Sequence, residues 1–246
     1  LSKPFDEGAA MSRLEIFAVE GIGEIGRADD LAAIIGAAVE LQDHDVVVVT
    51  QKIVSKAEGA MIEVDPSDPL SHKPIVERES RRILRRRGEL IISETKHGFI
   101  CANAGIDLSN VDRGWAALLP DDPDRSARRI RDGLRGKIGV DVGVIVSDTF
   151  GRPWRRGVTD VAIGAAGIIP VLDLRGTQDS YGRELMVTEV CIVDELAGAA
   201  ELVMGKATGV PVAVIRGVDP QWFVPSGTPS GVLTDVVRSP ADDLFR

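Results

Sequence analysis

Four consecutive valines, Val46 to Val49, constrain this chain more than any other feature. β-branched side chains are stiff at χ1 and pack well on a pleated surface, so such a run reads as a buried strand over residues 45–49. The strand leads straight into a polar stretch, Thr50-Gln51-Lys52-Ile-Val-Ser55-Lys56-Ala-Glu58-Gly59. Lys52 and Lys56, four residues apart, share a face only if that stretch is helical. They read as surface lysines or, if they face a ligand, as phosphate-neutralising groups.

Other elements can be placed around this strand. Residues 14–19 alternate apolar and polar and predict a first strand. Gly21-Ile22-Gly23-Glu24-Ile25-Gly26 is a glycine-rich turn, and Asp29 or Asp30 can cap a helix over 31–41. Residues 66–74 read as loop. Six arginines (Arg78, Arg81, Arg82, Arg85, Arg86 and Arg87) surround Ile75, Val76, Ile83 and Leu84. That pattern predicts a basic amphipathic helix over 75–87 with a solvated charged face. Residues 89–92 and 99–102 predict paired strands joined by Lys96-His97-Gly98. Asp121-Asp122-Pro123-Asp124 opens a helix running to about residue 134. A strand over 138–146 delivers Asp148 at its C-terminal end, where catalytic groups are often carried. The small apolar residues of 160–167 predict a closely packed helix, 188–204 the most regular helix, and 210–215 another buried strand. Helices and strands mix without strict βαβ alternation and no solenoid repeat is present. The expected fold class is therefore α+β with a mixed sheet.

Composition narrows the function. At 246 residues and 44% hydrophobic content, the chain can build a core and is not a disordered segment. A formal net charge of -9 and 4% aromatic residues give a nucleic-acid partner little support. Two cysteines far apart, Cys101 and Cys191, exclude a disulfide framework or CxxC zinc site and fit a reducing cytoplasm. No apolar run approaches the roughly 20 residues that span a bilayer, so no membrane partner is expected. Met11-Ser-Arg-Leu14 looks like a natural start. Residues 1–10 are accordingly expected to be a dispensable extension and 11–246 the functional domain.

Two segments carry the chemistry: Cys101-Ala-Asn-Ala-Gly-Ile-Asp107-Leu-Ser-Asn110 and Val146-Ser-Asp148-Thr149-Phe-Gly-Arg152-Pro-Trp-Arg155-Arg156-Gly157. Each ends an apolar run on a carboxylate set among Gly, Asn, Ser or Thr. Such carboxylates serve as turn and cap residues or as hard oxygen ligands for Mg²⁺ or Mn²⁺. The hydroxyl of Thr149 beside Asp148 favours the metal reading. Asn110 reaches the same site if its turn is helical. Arg152, Arg155 and Arg156 suit phosphate or carboxylate groups. His97 reads as a structural turn residue, and Cys101 as a small buried residue rather than a nucleophile. No Walker-type loop occurs, and Glu24 would point a carboxylate at any pyrophosphate bound by the glycine turn, so the residues alone favour a plain turn there.

Ser55-Lys-Ala-Glu-Gly59, Asn103-Ala-Gly-Ile-Asp107-Leu-Ser-Asn110, Ser147-Asp-Thr-Phe-Gly-Arg-Pro-Trp-Arg-Arg-Gly157 and Tyr181-Gly-Arg-Glu-Leu185 resemble the coenzyme F420-0:γ-glutamyl ligase family. The likeness runs from Met11 to about Pro220. It implies an unusual α+β fold, a homodimer, GTP as co-substrate, and Mg²⁺ or Mn²⁺ as metal with two ions; K⁺ is a further candidate. By family likeness Asp107, Asp148 and Thr149 fall on metal-ligand positions, and Asp107 and Asp148 are the catalytic carboxylates. Gln51, Lys56, Asn110 and the turn Ile22-Gly23-Glu24-Ile25 fall on nucleotide-contact positions, with 205–211 nearby. The resemblance thus turns the glycine turn into a functional one. Ser147 and Arg156 stand where the family often has Thr and Asn.

The implied reaction adds L-glutamate to coenzyme F420-0, and to F420-1, through an acyl phosphate. The alternative is a non-catalytic module holding a nucleotide or deazaflavin for a partner domain. Ser239-Pro-Ala-Asp-Asp-Leu-Phe-Arg246 resembles the junction into a flavin-binding nitroreductase-like domain.

Overall fold

A computed structural model describes residues 13–243; the expected extension at 1–10 lies outside the described residues. In chain order the elements are β1 (Glu15–Ala18), α1 (Leu31–Ala38), β2 (Val46–Thr50), α2 (Gln51–Glu58), β3 (Met61–Glu63) and α3 (Lys73–Glu79). Then come β4 (Ser80–Arg87), β5 (Leu90–Thr95), β6 (Ile100–Ala102), a 3₁₀ turn at Asn103–Gly105, β7 (Trp115–Ala117) and α4 (Pro123–Ile138). The chain closes with β8 (Gly143–Arg152), β9 (Arg155–Ala166), β10 (Val171–Asp173), β11 (Glu189–Cys191), α5 (Ile192–Met204), β12 (Val212–Arg216), a 3₁₀ turn at Pro220–Trp222 and α6 (Val232–Asp235).

The valine run sits near the middle of a five-stranded sheet ordered β1-β12-β2-β8-β9. Only β2 and β8 are parallel; the other pairings are antiparallel, which makes the sheet mixed as expected. Val46 to Val49 are all fully buried, as are Val144 to Val146 and Val212 to Ile215. Successive strand residues point to opposite faces, so both faces of the central strands are covered. Helix α5 packs on β1, β12, β2, β8 and β9, while α4, backed by α1, packs on β8 and β9. Each fully buried valine contributes about 1.5–3 kcal/mol.

Small residues set the helix-to-sheet distances. A Cβ on Gly164 in β9 would lie 2.3 Å from the Pro123 carbonyl, and one on Gly133 would lie 2.6 Å from Ala32 Cβ where α1 meets α4. Asp124 pins the same corner. Its buried carboxylate accepts from the amides of Ala165 (2.8 Å), Val232 (2.8 Å) and Leu233 (3.0 Å), joining α4, β9 and α6. Helix α4 itself starts with Asp122 accepting from Arg125 N at 2.8 Å, has Pro at its first turn, and stops at Gly139 with φ 77°.

The structure corrects several expectations. The basic segment 75–87 is not one helix. Helix α3 stops at Glu79 and the arginines continue as β4, the outer strand of a three-stranded sheet ordered β4-β5-β6. Arginine is a good helix former, but ladder bonds to β5 and the packing of Ile83 override that weak local preference. Residues 160–167 belong to β9 rather than to a helix. Their smallness serves the close approach of α4, as Gly164 shows. Residues 189–191 form β11, so α5 begins only at Ile192, and β8 begins at Gly143 because α4 runs on to Ile138. The 51–58 stretch is helical, so Lys52 and Lys56 do share a face.

Candidate active site

Thr50 and Ser147 are paired at the end of the parallel ladder between β2 and β8. Beyond that point one chain turns into α2 and the other continues as a hairpin arm with β9. Between them opens a cleft of about 1000 Å³. It is lined by residues 22–25, the exposed side of α2, the 101–112 segment, residues 147–151 with Val158 and Asp160, and Glu201 with parts of 205–211. Thr50 makes no side-chain cap, so the first amides of α2 stay open toward the cleft.

Asp107 comes from the segment after β6, whose backbone is held in an uncommon shape. Asn103, Ala104 and Gly105 have φ of 50°, 54° and 71° in succession, and Asn110 has φ 51°. Left-handed non-glycine residues are costly and cluster at functional sites. Asp107 is held by a bridge to Ala117, and its carboxylate accepts from Ser109 N at 2.7 Å and meets Lys52 Nζ at 2.9 Å. Burial works to raise its pKa, and Lys52 and Ser109 outweigh that, leaving it below the usual carboxylate value.

Asp148 and Thr149 lie just past a register shift between Val146 and Ser147 in the β8–β9 ladder. Bulges of this kind re-aim side chains beside active sites. Ser147 and Thr149, two residues apart, both donate to Asp160, at 3.0 and 2.6 Å. Lys206 Nζ lies 3.0 Å from Asp160, 3.4 Å from Glu201, and also donates to Thr149 Oγ1. Asp148 accepts only from the Thr149 amide, and among the described residues no lysine or arginine ion-pairs with it. Burial, with the carboxylates of Asp107 and Asp160 adding to it, pushes its pKa up to about 7.

Lys56 pairs with Glu24, so the glycine turn is tied to α2 and its carboxylate is neutralised. Gln51 faces the cleft, but its amide nitrogen is bonded to Leu118 O and Ser55 Oγ, both at 2.7 Å, and so also anchors α2 to the sheet-edge loop. Asn110 lines the cleft from a turn that is not helical. Arg152, Arg155 and Arg156 are exposed at the hairpin tip, beyond Gly151 and Val158, and do not line the cleft. His97 stands elsewhere, stacked on Phe99 with Nε2 3.1 Å from Asp121 O. The Cys101 thiol borders the cleft, but burial and then Asp148 push its pKa up to about 12, so it stays protonated.

Sequence reasoning did not find Asp160, Glu201 or Lys206. Asp160 stands in a run of small residues that reads as packing, and Glu201 is one of many acids on a helix. The family resemblance had placed the 205–211 segment near the nucleotide without singling out Lys206.

Divalent metal chemistry can be tested against this donor set. Among the described residues no three His, Cys, Asp or Glu side chains form a ready-made cage. Mg²⁺-type sites seldom have one: one or two carboxylates suffice, with water and substrate phosphate completing the shell. Asp148, a cleft carboxylate with no cation of its own, fits that role with Asp107 and the Thr149 hydroxyl nearby.

The α+β fold thus carries a charged cleft at the end of its central sheet. Comparison with known proteins supplies the class. The family profile of F420-0:Gamma-glutamyl ligase matches residues 21–217. The chain is similar to the coenzyme F420:L-glutamate ligase of Methanopyrus kandleri, 45% identical over 233 residues, covering 89% of this chain and 92% of that protein. It is 46% identical over 225 residues to the protein of that name from Methanothermobacter thermautotrophicus, covering 83% and 89%. It is 39% identical over 249 residues to that of Archaeoglobus fulgidus, covering 95% and 97%. The chain belongs to the F420-0:gamma-glutamyl ligase family.

Proposed function

We propose that this protein joins L-glutamate to coenzyme F420-0, and then to F420-1, in a GTP- and metal-dependent reaction. The observation that carries the reading is the meeting of Asp107, Asp148 and Thr149 with Lys52 and Lys56 in one cleft, from segments far apart in sequence. A substrate carboxylate oxygen attacks the γ-phosphorus of GTP, GDP leaves, and an acyl phosphate forms. The glutamate nitrogen then attacks the acyl carbon, phosphate leaves, and the amine loses a proton as the amide forms.

The chain's own residues have defined parts. Lys52 and Lys56, on one face of α2, neutralise phosphate oxygens, and the open amides of that helix add to them. The turn at 22–25 and Asn110 border the nucleotide, with Gln51 setting the position of α2. Asp107, Asp148 and the Thr149 hydroxyl hold the divalent cation. Such a cation supplies charge neutralisation of the triphosphate and of the transferring oxygens. Arg152, Arg155 and Arg156 meet the acidic end of the deazaflavin substrate from the hairpin tip. A homodimer fits the exposed Trp154 and Val158 of that tip and the exposed Tyr181, Met186 and Val187 beyond it.

Mass spectrometry of F420-0 incubated with the protein, GTP, L-glutamate and Mn²⁺ tests the reading. The expected result is a product heavier by one glutamyl residue, with one GDP and one phosphate per amide, abolished by EDTA. Nucleotide and deazaflavin binding without that product would refute catalysis.

A further inference from the structure

Beyond Ser147, where the pairing with β2 ends, β8 and β9 run on as a two-stranded arm. Its ladder pairs Thr149 with Asp160, Phe150 with Thr159 and Gly151 with Val158, then shifts register so that Arg152 meets Arg155. Side chains alternate along a strand and cross-strand partners share a face, so Thr149, Asp160, Gly151 and Val158 belong to one side of the arm. Gly151 and Val158 both line the cleft. A Cβ on Gly151 would meet nothing within 4 Å, and Val158 is 59% exposed. A glycine opposite a valine leaves a flat, open apolar shelf, about 7 Å outward from the Thr149–Asp160 pair. Farther out stand the exposed Arg152, Arg155 and Arg156, and Trp154, 77% exposed, makes the tip.

We infer that this arm is a ruler for the acceptor coenzyme: the Gly151–Val158 shelf admits the linker behind its reacting carboxylate, the arginines hold its phosphodiester, and Trp154 stacks on its deazaflavin ring. The inference rests on the ligase reading above. The acceptor carries, in order, the carboxylate to be phosphorylated, a short carbon linker, a phosphodiester, a polyol and a planar ring. The arm presents, in the same order, the Thr149–Asp160 pair, a shelf bare of side chain on one strand, three guanidiniums and an indole. Glycine lets a ligand come close to the backbone. The guanidinium fork matches phosphate oxygens, and an indole face suits a planar ring. The α2 side of the cleft is equipped differently, with Lys52, Lys56 and open helix amides that suit a triphosphate. Nucleotide and acceptor thus reach the transfer point from different sides, which an in-line displacement needs. A ruler also ranks acceptors. F420-1 is longer by one γ-glutamyl unit, about 6 Å. With its terminal carboxylate at the transfer point, its ring lies beyond the indole. Trp154 is therefore a specificity-determining residue that favours F420-0 over F420-1.

The test titrates F420-0 into nucleotide-free protein and follows the fluorescence of its ring, so it does not depend on turnover. Wild type should bind F420-0 and quench the ring. Gly151→Val fills the shelf at a position with room for a side chain, in a strand that suits a β-branched residue. It should fold as wild type does and weaken F420-0 binding roughly fivefold or more, as should Trp154→Leu, which also loses the quenching. Trp154→Phe should keep most of the affinity. Neither Gly151→Val nor Trp154→Leu should move the Kd for GTP, measured by calorimetry. In turnover, Trp154→Leu should narrow the kcat/KM preference for F420-0 over F420-1. Light scattering checks that each variant keeps the subunit count of wild type, since a partner subunit at the same tip would flank the ring. F420-0 binding unchanged in either Gly151→Val or Trp154→Leu, a GTP Kd that rises with it, or an unchanged acceptor preference would overturn the inference and leave the ligase reading intact. Binding of F420-0 by wild type without glutamyl product would end the ligase reading, and the fluorescence arms would still decide the placement of the ring. No binding of F420-0 to wild type would overturn both.

Discussion

Lys52 Nζ stands 2.9 Å from Asp107 Oδ2, joining residues that lie on either side of the cleft mouth and that no local element links. The pair holds the carboxylate charged and aimed while the lysine remains available to a phosphate. Asp107→Asn keeps the shape and removes the charge. With Asp148→Asn it should lower kcat by more than the roughly 10–100-fold typical of residues that only support a metal ligand. Lys52→Ala should instead raise KM for GTP, with a smaller change in kcat. Steady-state kinetics at saturating Mn²⁺ separate the cases, and unchanged activity of Asp148→Asn would end its assignment.

Asp124 and Gly231 make a second close contact. A Cβ on Gly231 would lie 2.4 Å from the Asp124 Cγ, and that carboxylate is fixed by three backbone amides. Gly231→Ala must push it off at least one of them. The expected loss is about 1–3 kcal/mol, with a Tm drop of roughly 2–4 °C per kcal/mol in a domain this size. Thermal melts of the two proteins decide it; an unshifted Tm would mean that α6 simply moves away.

The histidines oppose the folded state in acid. Burial lowers the pKa of both His72 and His97. A histidine whose folded pKa is depressed contributes stability that is present above its unfolded value, near 6.5, and is lost as pH falls through the folded one. The histidines' share of the stability should therefore fall between pH 7.5 and 5, against an opposite contribution from Asp148, whose raised carboxyl takes up a proton in the folded state over the same range. His97→Gln should lose less Tm toward acid than wild type, and a slope identical to that of wild type would remove His97 as a cause.

Arg155 tests the hairpin tip. Exposed arginines close together are tolerated in water, so their placement has a binding rationale only if an anion arrives. Arg155→Ala is expected to raise KM for F420-0 several-fold and to leave KM for GTP in place. A fall in kcat alone would move the arginine to the phosphoryl group, and no change at all would make the tip a solvated surface.

The sequence by itself determined the sheet centre, the α+β class and the two carboxylate segments. The reason is that these are local: four valines in a row, a cap followed by proline at Asp122-Pro123, and acids at the ends of apolar runs are each legible within a few residues. It determined the family as well, because long motifs such as the one around Asp148 keep their order along the chain. Only the tertiary structure decided what the 80–87 and 160–166 segments are. Arginine and small residues are compatible with either helix or strand, and the choice falls to the neighbour that offers a ladder. Only the tertiary structure, too, brought Asp160 and Lys206 to Thr149. Their meeting depends on β9 folding back along β8 and on α5 ending beside it, a relation between distant segments that no spacing in the chain encodes.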